Sequence, residues 1–301
     1  MRKNIEVSVY KKIAEYNDNI TDFHTDNLME QILHQDNFNK AYKKVKANKE
    51  AGGVDGMSVD ELLSFLRSNQ KQLRQEIKDG KYKFDPVCRE KYLKKKGEFR
   101  KLGVLTVVDR VIQQAIKQVL LSILEKQFSE NSYGFHSCRG AHDALKQCQS
   151  NVNDGYAYVE DVDLKKFFDT VCQSKLVEIL LRTIKVGQRI SLIQKYLNAG
   201  IIRRRMFEKI EEGMPQGGLP SLFLSNIMLN ELDKELTRGG RRFVYCADNC
   251  MILCKCRKSA ERTLKNVIPF IKGKLFLKVN RDRRCANIRN GNWNCSGYFV
   301  F

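Results

Sequence analysis

The 301-residue sequence contains no run of about 18 apolar residues, so it offers no segment that would cross a bilayer as a helix. Its first four residues, Met-Arg-Lys-Asn, are followed by charged sequence rather than by the apolar stretch of a secretory signal. No Gly-x-x-x-x-Gly-Lys-Ser/Thr loop is present, which argues against a nucleotide-hydrolysing or helicase module. We therefore expect a cytoplasmic protein without a membrane partner.

Histidine is also scarce, with four residues against ten cysteines, and no His lies at zinc-finger spacing from a Cys. Cys246, Cys250, Cys254 and Cys256 cluster on largely apolar sequence, where successive side chains would alternate between the two faces of a strand. The remaining cysteines are scattered. We expect buried, reduced thiols, with a structural metal site as the less favoured alternative.

Acidic residues are fewer than basic ones: the sequence has 35 Asp and Glu and 54 Lys and Arg, which gives a formal net charge of +19. An excess of this size indicates a polyanionic partner, and it favours nucleic acid over a membrane surface. The hydrophobic fraction of 42% is that of a globular protein rather than of a disordered basic tail. We expect RNA binding whose affinity falls steeply with salt.

Hydrophobic periodicity indicates more helices than strands. Helices are predicted at about 58–77, 107–128, 140–150, 173–184, 187–199, 223–236 and 257–268. Strands are predicted in short pieces within 81–101, and at 156–164, 242–246, 250–254, 275–279 and 293–301. Because the strands cluster late in the chain, the pattern is typical of an α+β fold.

Three segments place acidic residues or glycines where substrate chemistry would use them. Asp163 ends a predicted strand, Pro-Gln-Gly-Gly stands at 215–218 before a helix, and Asp248-Asn249 lies between two apolar runs. Taken singly, Asp163 is explained as a helix N-cap and the other two segments as plain turns. Their order on a strongly basic chain favours a polymerase instead, in which oxygen ligands from different elements converge on two Mg²⁺ ions.

With these segments the sequence resembles bacterial group II intron reverse transcriptases/maturases, which carry a retron-type reverse transcriptase domain. Eight fragments occur in the family's order: Gly-Val-Asp-Gly at 53–56, Arg-Lys-Leu-Gly at 100–103, Asp-Arg-Val-Ile-Gln at 109–113, Ser-Glu-Asn-Ser-Tyr-Gly-Phe at 129–135, the Asp163 strand, the 215–218 loop, 225–233, and the Asp248 hairpin. The resemblance implies a right-hand polymerase fold with helical, basic fingers over 1–155. It implies a palm with a small antiparallel sheet over 156–301, with a helical finger segment interposed at about 173–205. The family continues into a helical thumb, which we expect to be absent here.

The resemblance also implies the chemistry of the hairpin. Asp163 and Asp248 match the family's metal-binding carboxylates, which would hold two Mg²⁺ ions, with Mn²⁺ as a substitute. Asn249 follows Asp248 as the third catalytic position.

Further residues would contact the substrates. Phe168 would lie under the sugar and exclude a 2′-OH, which selects dNTPs. Gln216 and Gly217 would pack around the incoming nucleotide and the template base. Lys94 and Arg100 would hold the triphosphate, although a solvated basic face explains both equally well.

The sequence departs from the family at functional positions. The hairpin reads Tyr-Cys-Ala-Asp-Asn at 245–249 where the family has Arg-Tyr-Ala-Asp-Asp, so the uncharged Asn249 replaces an Asp. The proline after the 215–218 loop is shifted to Pro220, and Arg283 stands where a lysine is usual. The sequence therefore leaves two alternative functions. The first is an RNA-directed DNA polymerase of impaired activity that uses an RNA template, a primer and dNTPs. The second is a non-catalytic remnant that binds group II intron RNA. The sequence predicts no oligomeric state.

Overall fold

The computed structural model describes residues 27–93, 99–136, 139–184, 187–203, 206–210, 212–214, 219–246, 249–280 and 286–287. The chain divides into two compact units. The first unit comprises Met1–Leu124 and Gln173–Phe223, and the second comprises Glu125–Cys172 and Leu224–Phe301. The assignment of fingers and palm to particular residues stays a prediction.

Helices and strands are mixed along the chain, in agreement with the predicted α+β content. The helices are α1 (Asn27–Leu33), α2 (Gln35–Asn48), α3 (Leu62–Lys78), α4 (Val107–Leu124), α5 (Ala141–Asn153), α6 (Phe167–Thr170), α7 (Gln173–Ile184), α8 (Gly187–Leu197), α9 (Leu219–Arg238) and α10 (Arg257–Gly273). The strands are β1 (Val87–Leu93), β2 (Phe99–Val104), β3 (Tyr158–Asp163), β4 (Ile201–Arg203), β5 (Met206–Glu208), β6 (Arg242–Cys246), β7 (Asn249–Cys254) and β8 (Ala286–Asn287). No helix in the described ranges is both long and apolar enough to cross a membrane.

Helix α4 is the core of the first unit. Thr106 caps it, because the Asp109 N–H donates to Thr106 Oγ1 at 3.3 Å. Its apolar residues recur at helical spacing and are buried, and α1 and α2 pack against it. The helix predicted at 107–128 is thus confirmed, although its last turn at Glu125–Gln127 tightens to a 3₁₀ helix.

The sheet of the first unit has the strand order β2-β1-β4-β5. Strands β1 and β2 pair antiparallel, β4 runs parallel to β1, and β5 returns antiparallel to β4. The sequence analysis predicted β1 and β2 but not the hairpin of β4 and β5. Each of these two strands has only three residues, too few for an alternating pattern to emerge.

The sheet of the second unit has the order β6-β7-β3-β8 and is antiparallel throughout. One face carries a core in which side chains of β3, β6 and β7 pack on α5: Ala144, Cys148, Val159, Val244, Cys246, Met251 and Leu253. Helix α10 also packs against β3 and β7. Apolar packing thus fixes the three strands whose ends carry the candidate site.

Helix α10 continues through Pro269, whereas the sequence analysis ended it at about residue 268. Val267 and Ile271 are buried on either side of the proline. Burial of two such side chains contributes about 1.5–3 kcal/mol each. Together these gains offset the cost of about 3 kcal/mol that a proline inside a helix imposes through its missing N–H and the clash of its ring with the preceding turn.

Two other predictions concern the end of the chain and the cysteines. Residues 275–279 do not form a strand but a single bridge between Leu164 and Val279, because Phe276 has a φ of +56°. The predicted strand at 293–301 lies outside the described residues. Within the described part, the predicted buried thiols are confirmed for Cys148, Cys172, Cys246, Cys250 and Cys254, while Cys256 is exposed.

Candidate active site

The antiparallel pairing of β3 with β7 places Asp163 directly opposite Asn249. Asp163 is the last residue of β3, and Asn249 is the first residue of β7. Residues directly opposite in such a pair project from the same face of the sheet, with Cβ atoms about 4.5–5.5 Å apart. Two candidate residues that are 86 positions apart in the sequence, 163 and 249, are therefore neighbours.

Strand β6 completes the hairpin, since Cys246 pairs with Asn249. Ala247 and Asp248 connect the two strands in the sequence, and both lie outside the described residues. Three further predicted site residues, Lys94, Gln216 and Gly217, also lie outside them. The backbone of Arg100 pairs with Tyr92 in the hairpin of β1 and β2.

Asn280 is a site residue that the sequence analysis missed. Its side-chain Nδ2 donates to Asp163 Oδ2 at 3.3 Å, and its backbone N–H donates to the Asp163 carbonyl at 2.9 Å. The Lys165 N–H donates in turn to the Lys278 carbonyl at 2.8 Å. The segment 278–280 therefore runs along the chain that leaves β3 and restrains the Asp163 carboxylate. The only feature of the sequence that could have indicated a role for Asn280 was the short apolar run before it.

Phe168 follows on the one-turn helix α6, whose N-cap is Lys166 with a φ of +49°. Asp163 therefore ends a strand and does not cap this helix. Phe167 is fully buried and Phe168 is half-buried, and their rings meet edge to face with centroids 5.2 Å apart. The buried ring thus braces Phe168 five residues after the candidate carboxylate, a geometry suited to a fixed aromatic wall.

Buried polar groups lie in the same unit as these residues. Asp161 shares the Asp163 face of β3, two residues earlier, and is 8% exposed. Asp233 on α9 is 3% exposed, and burial raises its pKa to about 7. Its Oδ1 has no hydrogen-bond partner among the described residues. Burial, followed by the nearby carboxyls of Asp233 and Asp161, raises the pKa of the Cys250 thiol well above its ordinary value. This thiol is therefore protonated and no nucleophile.

A loop tied to β6 supports the hairpin from its outer edge. The Tyr133 N–H donates to the Tyr245 carbonyl at 2.7 Å, and the Tyr245 N–H donates to the Asn131 carbonyl at 2.8 Å. Asn226 of α9 holds the same loop through a 2.9 Å hydrogen bond from Nδ2 to the Gly134 carbonyl. Two of the motif segments, 129–135 and 225–233, thus act together as a scaffold for the strand that leads to Asp248.

The buried His136 side chain completes this scaffold. Its Nδ1 lies 2.9 Å from Glu125 Oε1, and its Nε2 lies 3.1 Å from Ser132 Oγ. Burial lowers the pKa of His136, while the Glu125 carboxylate opposes that effect. The imidazole therefore connects the end of the loop to Ser132 within it and to Glu125 in the 3₁₀ helix that precedes it.

Comparison with known proteins identifies relatives of this chain. The family model for reverse transcriptase (RNA-dependent DNA polymerase) matches residues 92–286. The chain is 35% identical over 209 residues to the group II intron-encoded protein LtrA of Lactococcus lactis subsp. cremoris, covering 69% of this chain and 34% of LtrA. It is 35% identical over 188 residues to protein YkfC of Escherichia coli, covering 61% of this chain and 49% of YkfC. The matched region thus spans between a third and half of these relatives.

Among solved structures, the chain is similar to an apo telomerase from Candida tropicalis truncated from its C-terminal domain. The TM-score is 0.54 at 14% sequence identity, and the match covers 70% of this chain and 52% of that one. This likeness concerns the fold alone.

Proposed function

The chain belongs to the reverse transcriptase family, and from this membership we propose that it is an RNA-directed DNA polymerase of the group II intron type. The observation that carries the proposal is the pairing of Asp163 with Asn249, the residue that follows Asp248 in the family hairpin. The proposal takes the second unit, which contains this pair, as the palm, and assigns the basic strands β1 and β2 to the fingers. The net charge of +19 suits an RNA template and primer.

The oxygen atoms at the end of the second unit's sheet fit Mg²⁺. Asp163 offers a carboxylate, Asn249 offers an amide oxygen beside it, and Asp248 adds a carboxylate next to Asn249 in the sequence. Hard oxygen ligands of this kind are the ones that Mg²⁺ prefers, and Mn²⁺ accepts the same set. Asp163 and Asp248 would hold two ions, which when bound supply charge neutralisation to the transferring phosphate.

In the proposed reaction, the 3′ oxygen of a primer attacks the α-phosphate of a dNTP. A new P–O bond forms there, and the bond to the leaving pyrophosphate breaks. The Asp163 carboxylate is oriented for its role by the amide of Asn280, 3.3 Å away. Phe168, braced by Phe167, would exclude a ribose 2′-OH.

The remaining predicted residues complete the substrate site in this proposal. Lys94 and Arg100 would hold the triphosphate, and Gln216 and Gly217 would contact the nucleotide and the template base. Group II intron RNA is the proposed natural template, because LtrA is a group II intron-encoded protein.

The decisive experiment is primer extension on an RNA template by the parent chain and by two variants. We expect Asp163→Ala to abolish dNTP incorporation, and Asn249→Asp to increase it in Mg²⁺ by about 10²-fold, since a charge-stabilising contact in such a site is worth roughly that much. The gain should be smaller in Mn²⁺, which tolerates imperfect ligand geometry better than Mg²⁺. Asn153→Asp, an exposed position at the end of α5, adds the same charge away from the β3–β7 pair and should leave the rate unchanged.

A second function, non-catalytic RNA binding, is favoured by one observation: the residue opposite Asp163 is an uncharged amide. If neither the parent nor Asn249→Asp incorporates a nucleotide in either metal while both still bind RNA, this function replaces the first. Equal extension by the parent and Asp163→Ala would instead show that the polymerising site lies elsewhere.

A further inference from the structure

The two most exposed large hydrophobic side chains in the described residues are neighbours in the sequence. Met206 is 67% exposed and Phe207 is 60% exposed. Both belong to β5, which ends the strand order β2-β1-β4-β5 of the first unit's sheet. Soluble proteins usually protect such an edge with charges or prolines, so an exposed pair of large apolar side chains indicates an interaction surface.

The Phe207 ring is held in place despite its exposure. A Cβ added at Gly200 would lie 2.5 Å from a carbon of this ring, so the ring rests against the Gly200 backbone. Gly200 has a φ of +76°, and its carbonyl accepts a 3.0 Å hydrogen bond from the Val87 N–H of β1. One side of the ring is therefore supported by rigid backbone. An aromatic ring fixed in this way loses little conformational entropy when a ligand stacks on it.

The charges around Phe207 suit an anionic ligand. Lys209 is exposed and comes directly after the end of β5, two residues from Phe207. Arg203 ends β4 opposite Met206, so it projects from the face of Met206 and not from that of Phe207. The acidic residue of the strand, Glu208, pairs with Ile201, so it projects from the face opposite to that of Phe207.

One row of side chains on the Phe207 face runs across all four strands of the sheet and is apolar. The register pairs Val104 with Cys88, Cys88 with Ile202, and Ile202 with Phe207, so these four side chains form one row. None of the four is fully buried. A partly open apolar row that ends in an exposed aromatic ring resembles in its chemistry the sheets on which single-stranded nucleic acids stack their bases.

We propose that Phe207 is a stacking platform for an unpaired base of single-stranded RNA, and that Lys209 contacts an adjoining phosphate. This inference rests on the proposed function in taking RNA as the partner, but it does not depend on catalysis. Stacking discriminates little between bases, because every base offers a π face. The subsite should therefore hold unpaired template without sequence preference and leave duplex RNA unaffected.

The test compares binding of two RNAs by fluorescence anisotropy: a labelled, unstructured strand of about 12 nucleotides, and the same strand annealed to its complement. Phe207→Leu keeps an apolar contact with Gly200 but removes the ring, and it should weaken single-strand binding by about tenfold. Phe207→Trp should restore the parent affinity. Ile123→Ala, at an exposed apolar residue of α4, is the matched control and should change nothing. Duplex binding should be the same for all four proteins.

The proposal is overturned if Phe207→Leu binds the single strand as tightly as the parent, or if the single strand and the duplex are weakened equally. It is also overturned if sedimentation shows a parent dimer that Phe207→Leu dissociates without a loss of RNA affinity, because the edge would then join two copies of the chain. If neither the parent nor Asn249→Asp extends a primer in either metal, yet Phe207→Leu loses single-strand affinity, the polymerase function is refuted and this subsite is left intact.

Discussion

Replacing Asp233 by Asn should change the pH dependence of stability. The carboxyl lies on α9, 3% exposed, with an Oδ1 that has no hydrogen-bond partner among the described residues. Burial raises its pKa to about 7 from an ordinary value of 3.8. Asparagine has nearly the same shape and does not ionise in this range, so the variant removes the titration while keeping the volume.

The sign follows from which state binds the proton. Between about pH 4 and pH 7 the unfolded chain has released the Asp233 proton and the folded chain still holds it, so stability falls as pH rises. Each pH unit in this window lowers the stability of the folded chain by about 1.4 kcal/mol, so the whole window lowers it by about 4 kcal/mol. Below the window both states are protonated, and above it both are ionised and the loss is constant. The free energy of unfolding of Asp233→Asn, relative to that of the parent, should therefore increase as pH rises.

Urea unfolding followed by circular dichroism at pH 5 and at pH 8 measures this difference. We expect the free energy of unfolding of Asp233→Asn, relative to the parent, to rise by about 3 kcal/mol between the two pH values. Asp154→Asn, at the exposed C-cap of α5, controls for the loss of one charge and should show no such rise. A difference between variant and parent that is independent of pH would show that Asp233 titrates alike in the folded and unfolded chain.

Two further predictions concern single contacts. In an active enzyme, Phe168→Ala should lower the ratio of dNTP to NTP incorporation, because it removes the ring that Phe167 braces. Competition assays measure this ratio. An unchanged ratio would show that Phe168 is a packing residue. Gly53→Ala should lower the melting temperature, since its Cβ would lie 2.4 Å from the Thr106 backbone nitrogen and overpacking of this kind costs about 1–3 kcal/mol. Gly273→Ala, where a Cβ meets nothing within 4 Å, should not lower it, and equal losses for both variants would contradict the steric argument.

Long periodic segments were predictable from the sequence because their packing reinforces their local pattern. Helix α4 and strands β3, β6 and β7 lie close to their predicted bounds. In each, the spacing of apolar residues matches the face that becomes buried. The sequence predicts these strands and the hairpin at Asp248, but the register that pairs Asp163 with Asn249 is known only from the structure.

The parts that were not predictable depend on tertiary contacts. The hairpin of β4 and β5 is stabilised by its pairing with β1, and its three-residue strands carry no pattern of their own. Asn280 reaches Asp163 because Phe276 takes a positive φ and turns the chain toward the end of β3. No local rule predicts a φ of +56° at a phenylalanine, since the conformation costs energy that only its surroundings repay.

The identity of residue 249 links the stability of the sheet to its proposed chemistry. An Asp at this position would stand directly opposite Asp163, and like charges so placed destabilise an antiparallel pair. Asp161 on the same face and Asp248 next in the sequence would add to the repulsion, which a bound cation relieves. In the proposed site, Asn249 would remove that repulsion and keep an oxygen ligand, so it would stabilise the metal-free sheet at the expense of affinity for divalent ions. The added charge would raise the rate of the proposed polymerase, whereas RNA binding alone depends only on the sheet. Asn249→Asp should therefore destabilise the metal-free chain even where it raises nucleotide incorporation.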